Sequence, residues 1–157
     1  GNASDYRCAY HFAHEQQLAP VKPERIEPKQ LKRRKVEMLR LMVDRAEPQH
    51  KIYLDEPDIL WIMGWSYLPG ADNAAFERKL LLQRADGVLY QADPALWNRK
   101  DVEKILPMEK HVGLAGFVLR VLKKDLEPGE YRVGMLAQSG AGKGGFLAWS
   151  DKTLRVE

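Results

Sequence analysis

The chain has 157 residues, 45% of them hydrophobic and 30% charged, with a formal net charge of +3. That is an ordinary globular composition, long enough for one domain plus an arm or for one large sandwich. Cys8 is the only cysteine, which excludes an intrachain disulfide scaffold. No signal peptide and no run of roughly 20 apolar residues is present, so no transmembrane helix is expected in these residues.

The basic character is local. Residues 20–45 carry nine Lys or Arg against four Asp or Glu, whereas residues 46–157 carry fifteen against sixteen. The start Gly-Asn-Ala is what a segment of a longer protein would show.

Residues 1–28 lack a sustained hydrophobic period and contain Pro20, Pro23 and Pro28, which predicts a Pro-containing arm or linker. Tyr6, Tyr10, Phe12, His11 and His14 form an aromatic cluster ahead of it. His11 and His14 can share a helix face, but a metal site would need more ligands, and Cys8 is the only one nearby. Residues 29–48 are expected to be a basic amphipathic helix, because Leu31, Val36, Leu39, Met42 and Val43 recur near the helical period between Pro28 and Pro48. Its apolar stripe, Leu31 to Val43, asks for a cover, and a homodimer is one way to supply it. Lys32, Arg33, Arg34 and Lys35 crowd the first half and could meet an anionic surface. A solvated helix face is the plainer reading, and nucleic acid lacks its usual aromatic company there.

From His50 the texture changes to short apolar runs separated by turn signals. The run from Asp58 to Tyr67 is the centre of the pattern. Extended, it puts Ile59, Trp61, Met63, Trp65 and Tyr67 on one face and Leu60 and Ile62 on the other. Further strands are expected at His50–Leu54, Phe76–Ala85, Val88–Gln91, Gly113–Leu122, Glu130–Gln138, Gly145–Ser150 and Thr153–Glu157. Asp86-Gly87, Leu126 to Gly129 and Asp151-Lys152 are the turn signals between them. Asp93 to Leu106 interrupts the series, with a helical turn starting at Asp93-Pro94 and a short helix capped by Asp101. The fold class predicted is mostly β: an Ig-like antiparallel β-sandwich of about eight strands at residues 49–157, with a short helical insertion.

Chemistry-bearing patterns are sparse. Ser139 to Gly145 suggests a phosphate loop, but Ala137 stands where its first glycine belongs and Gly144 where the magnesium-binding Ser or Thr belongs. Arg99 and Asp101 read as structural, the arginine bonding backbone carbonyls and the aspartate capping a turn. Asp55, Glu56, Asp58, Asp86 and Glu127 fall in turns, where carboxylates usually cap amides, and His50 and His111 are isolated. No catalytic, metal or cofactor set emerges. Trp97 with Tyr67 or Tyr90 is the best candidate for an exposed ring platform for a sugar, against the commoner use of aromatic rings as core.

Gly64-Trp65-Ser66, Asp86-Gly87 with Tyr90, the stretch Arg99 to Val102, Gly116-Phe117 and the stretch Leu126 to Tyr131 resemble a β-sandwich module of bacterial envelope proteins. That module is attached to glycosyltransferases and membrane proteins of surface-polysaccharide assembly. The resemblance covers residues 50–157 and implies a non-catalytic accessory domain on the extracytoplasmic face of a bacterial membrane. Its partners would be the membrane or catalytic domain of a parent protein, and a polysaccharide. Lys32 to Lys35 pull the other way, since basic segments beside a membrane span favour the cytoplasmic face. The rivals are a carbohydrate-binding module, a glycan-acting enzyme, and a binder of anionic lipid or nucleic acid.

Overall fold

Residues 3–31, 38–49, 58–139 and 145–157 are described by a computed structural model. The run at the centre of the sequence pattern is β3, Ile59–Tyr67, and it is buried almost end to end. Its even positions, Leu60 and Ile62, face the main core, while Trp61 and Met63 face the other way into a second cluster.

β3 is flanked by β2 (Arg40–Pro48) and β7 (Gly116–Leu122), both antiparallel, and β6 (Ala95–Trp97) completes a four-stranded sheet in the order β2-β3-β7-β6. The second sheet has the order β1-β5-β4-β8-β9. It is built from β1 (Glu24–Ile26), β4 (Phe76–Arg84), β5 (Leu89–Ala92), β8 (Gly129–Ser139) and β9 (Gly145–Val156). After β1 the chain places strands two at a time, β2-β3, β4-β5, β6-β7 and β8-β9, and changes sheet between pairs. Leu60, Ile62, Phe117, Leu119 and Val121 of one sheet pack against Leu80, Leu82, Tyr131, Val133 and Met135 of the other. Mostly β structure in two antiparallel layers is thus what the alternation of the sequence encodes.

The outer face of β3 needs its own cover, because alternation puts Trp61 and Met63 on it. The cover is α1, Ala3–Glu15. Ala9 and Ala13, one turn apart, let the helix approach closely, and Tyr10 sits against Trp61 with ring centroids 6.3 Å apart. Gln17, at a left-handed φ of 52°, ends the helix. The following segment runs along the edge of the four-stranded sheet, where Val21 N–H donates to the Arg120 carbonyl and Arg120 Nη1 donates to the Leu18 carbonyl. Residues 7–23 are therefore packed on the sandwich.

The helix expected at 29–48 is corrected. A 3-10 turn covers Pro28–Leu31, and from Arg40 the chain is strand β2. Strand alternation sorts the supposed stripe onto two faces: Leu39 and Val43 enter the main core, while Met42 faces outward. The 3.6-residue match joined residues of different elements and faces: Leu31 closes the 3-10 turn, and Met42 and Val43 are neighbours on opposite faces of β2, which carries a bulge at Asp44 where the register shifts between Val43 and Arg45. The bulge also explains Gly64, where any Cβ would lie 2.0 Å from the Met42 carbonyl oxygen. Leu39 and Val43 are covered within the chain and need no second copy.

Two smaller expectations also change. Asp93-Pro94 starts no helical turn and leads into the edge strand β6. Asp151-Lys152 is no turn between two strands: β9 is continuous, and residues 150–152 face the single residue Val133 as a bulge, with Lys152 N–H donating to Ser150 Oγ at 3.0 Å. The strand expected at 50–54 lies outside the described residues, as do Asp55 and Glu56.

Trp61 is fully buried between β3 and α1. Replacing it with alanine removes the largest side chain of that layer, and Trp61→Ala is expected to lower unfolding stability by about 3–5 kcal/mol in a urea titration. It should also make the bond after Arg7 readily cleaved by trypsin. Unchanged stability would show that α1 does not cover the strand.

Candidate functional site

The three aromatic candidates lie in three different places. Tyr90 on β5 is buried in the main core against Tyr131, with centroids 6.0 Å apart. Trp97 on β6 is half-buried, stacked on Phe12 of α1 at 5.9 Å. Tyr67, at the end of β3, is half-buried and stacks on Trp65 at 5.9 Å with 17° between the planes. No single platform joins them.

What does form is a strip on the outer face of the four-stranded sheet. Trp65 and Tyr67 continue the outward alternation of β3 beyond the reach of α1. One side is partly covered by Val102, Val112 and Ala115, from α2 (Lys100–Ile105) and the loop that follows it. On the other side Met42 pairs with Trp65 in register and is 50% exposed, as is Met38 just before the strand. Sequence reasoning missed Met42 as a surface residue and did not choose Trp65 as the partner of Tyr67. The signal was present in the alternation of β3, but the helix assigned over Met42 hid its neighbour.

Beside this strip sits a buried charge cluster. Arg99 is 4% exposed; its Nη1 donates to Asp44 Oδ2 at 2.9 Å, and its Nε and Nη2 donate to the two oxygens of Asp101 at 2.9 and 2.8 Å. Arg99 thus meets carboxylates and not the carbonyls expected, and Asp101 in the first turn of α2 pairs with Arg99 instead of capping the helix. The Asp101 and Asp44 carboxylates hold the Arg99 guanidinium above its ordinary value, and Arg99 in return lowers Asp101. The cluster ties β2 to α2. A side chain at Gly116 would strike Arg99 Cγ at 2.5 Å and Trp97 Nε1 at 2.7 Å, so this crossing needs glycine.

At one end of the sandwich, the loop after β3 meets the loop before β7. His111 Nδ1 lies 2.6 Å from Asp72 Oδ1, and Asp72 also accepts the Ala74 N–H. The bond from His111 and that from Ala74 N–H keep Asp72 below the usual carboxylate range. Arg78 reaches across from β4 to donate to the carbonyls of Ser66, Ala115 and Leu114, and burial draws it down to about 10. A His–Asp pair can orient an imidazole, but Arg78 is committed to backbone carbonyls here.

Elsewhere Asp86 pairs with Arg84, which lowers the aspartate and raises the arginine. Glu127 pairs with Arg25. His11, His14 and Cys8 are exposed on α1, and among the described residues no three His, Cys, Asp or Glu side chains gather as a metal site. Lys32, Arg33, Arg34 and Lys35, His50 and residues 140–144 of the glycine-rich loop lie outside the described residues. No helix among the described residues is long and apolar enough to cross a membrane.

Removing one carboxylate from the buried cluster leaves Arg99 partly uncompensated, so Asp44→Ala is expected to cost about 3 kcal/mol in chemical denaturation. Asp101 has a largely exposed side chain, and Asp101→Asn should cost less than about 1 kcal/mol. Asp72, Asp86 and Asp101 all have lowered pKa values. Their contribution is complete above the unfolded aspartate value of about 3.9 and is lost as pH falls through the lower folded values. Melting temperature measured from pH 7 to pH 2 should therefore fall steeply below about pH 4, and less steeply in Asp101→Asn. No family model, curated sequence or solved structure matches the chain.

Proposed function

We propose that this chain is a non-catalytic, Ig-like accessory domain of a larger bacterial envelope or membrane protein, and that it contacts polysaccharide. Two features of the sandwich support the Ig-like reading. The orders β2-β3-β7-β6 and β5-β4-β8-β9 correspond to the A-B-E-D and C′-C-F-G sheets of such domains. At the crossing from β7 to β8, the Tyr131 hydroxyl donates to the Glu127 carbonyl at 2.6 Å, the arrangement called a tyrosine corner. Burial pushes that hydroxyl up to about 12, so it stays a donor at neutral pH.

The observation that carries the contact reading is the strip of Trp65, Tyr67 and Met42. Partly exposed aromatic rings beside a methionine that is 50% exposed offer an apolar face for a sugar ring, while Arg99 and its two carboxylates hold the neighbouring backbone fixed. On this reading the sugar contact is Tyr67 with Trp65, in place of Trp97 and Tyr90. The resemblance of residues 50–157 to surface-polysaccharide modules supports the same ligand class and an extracytoplasmic setting.

Affinity electrophoresis in gels containing neutral and acidic polysaccharides tests the reading. Retardation is expected in at least one gel, and Tyr67→Ala and Met42→Glu, both melting like the parent, should each weaken it about tenfold, or about 1.4 kcal/mol. Equal migration in every gel, or retardation that neither substitution alters, would contradict it.

A further inference from the structure

On the opposite side of the sandwich, the outer face of the five-stranded sheet holds an open cleft of about 630 Å³ beside the β4–β5 turn. Gln83, Arg84, Gly87, Glu130, Arg132 and Thr153 line it. Three of these are cross-strand neighbours, since Gln83 pairs with Arg132 and Arg132 pairs with Thr153 in register.

Arg132 is held in place from two directions. Its Nε and Nη2 donate to Gln83 Oε1 at 3.2 and 2.6 Å, and its guanidinium carbon stands 3.7 Å from the centroid of the Trp149 ring. Trp149 lies against the backbone of Gly134, where any Cβ would come within 2.5 Å of the ring. The glycine, the tryptophan and the glutamine thus fix an exposed guanidinium without neutralising it. Among the described residues no carboxylate pairs with Arg132, whereas Arg84 and Arg99 each have two and Arg155 has one. A long side chain already ordered loses little entropy when it binds, and a guanidinium presents the fork that matches a carboxylate.

The remaining lining selects among anions. Glu130 opposes a dianion more than a monoanion by like charge and can accept hydrogen bonds from hydroxyl groups. Thr153 and Gln83 add neutral hydrogen-bonding groups. We infer that this cleft binds a singly charged carboxylate carried on a hydroxylated ring, an acidic sugar residue, with Arg132 as its anchor. The inference rests on the polysaccharide reading above for the hydroxylated class of ligand, but on a different sheet and different residues.

The test is an NMR titration of the whole chain with galacturonate, galactose, acetate and galactose 6-phosphate, following the Arg132 Nε–H and Trp149 indole signals. Galacturonate is expected to move both signals saturably, at least tenfold more tightly than acetate, galactose or the sugar phosphate. Arg132→Gln should abolish saturation and Thr153→Val should weaken it, with both variants melting like the parent. Tyr67→Ala should leave the response intact. Three results would overturn the inference: no saturable shift with galacturonate, an equal response to galactose or to the phosphate, or an unchanged response in Arg132→Gln. Intact galacturonate binding here, together with retardation in the acidic gels that neither Tyr67→Ala nor Met42→Glu alters, would remove the Tyr67 contact and keep this one.

Discussion

A strand that is buried on both faces has to be covered twice, and β3 imposes that requirement on this protein. Leu60 and Ile62 are covered by the second sheet, as in any sandwich. Trp61 and Met63 point away from that core, and α1 covers them through Ala9, Tyr10 and Ala13. Trp65 and Tyr67 continue the same face and are only partly covered, by α2 and the loop after it. The outer surface of the four-stranded sheet thus grades from closed under α1 to open beside Met42.

Much of this could be read in the sequence because strand alternation is a strong signal wherever turn residues bound it. β3, β4, β5, β7 and β8 lie close to where their apolar runs and the Asp86-Gly87 and Pro128-Gly129 signals put them. The failures have local physical causes, one of them a β-bulge, which inserts residues and breaks a period of two. Leu39, Met42 and Val43 matched a helical period although they lie on two faces of the β2 segment, and the bulge at 150–152 made one strand look like two. The packing of residues 7–23 was hidden for another reason: proline-containing backbone reads as linker unless its docking partner is known. That partner, Arg120 on β7, is distant in sequence.

The candidate sites were less legible than the fold. Tyr67 was singled out, but its neighbours Trp65 and Met42 depend on the register between β2 and β3, which composition does not reveal. The Arg99 cluster joins residues 55 positions apart, and Asp44 gave no hint of it. Arg132 and Trp149 meet through the β8–β9 pairing, and the two-residue code of that hairpin is broken by its bulge. Charge is used here in two ways. Arg78, Arg84 and Arg99 are spent on carbonyls and carboxylates that join loops and sheets. Arg132, set on a tryptophan and bonded to a neutral amide, keeps its charge for something else.

Hydrogen–deuterium exchange of the intact chain, followed peptide by peptide, tests the central claim that β3 is covered on both faces. The slowest exchange is expected at residues 59–67 and 116–122, with α1 protected far beyond an isolated 13-residue helix, which is marginal in water. Exchange of residues 7–15 at the rate of an unstructured peptide, with β3 still protected, would contradict the account and return the N-terminal segment to a free linker.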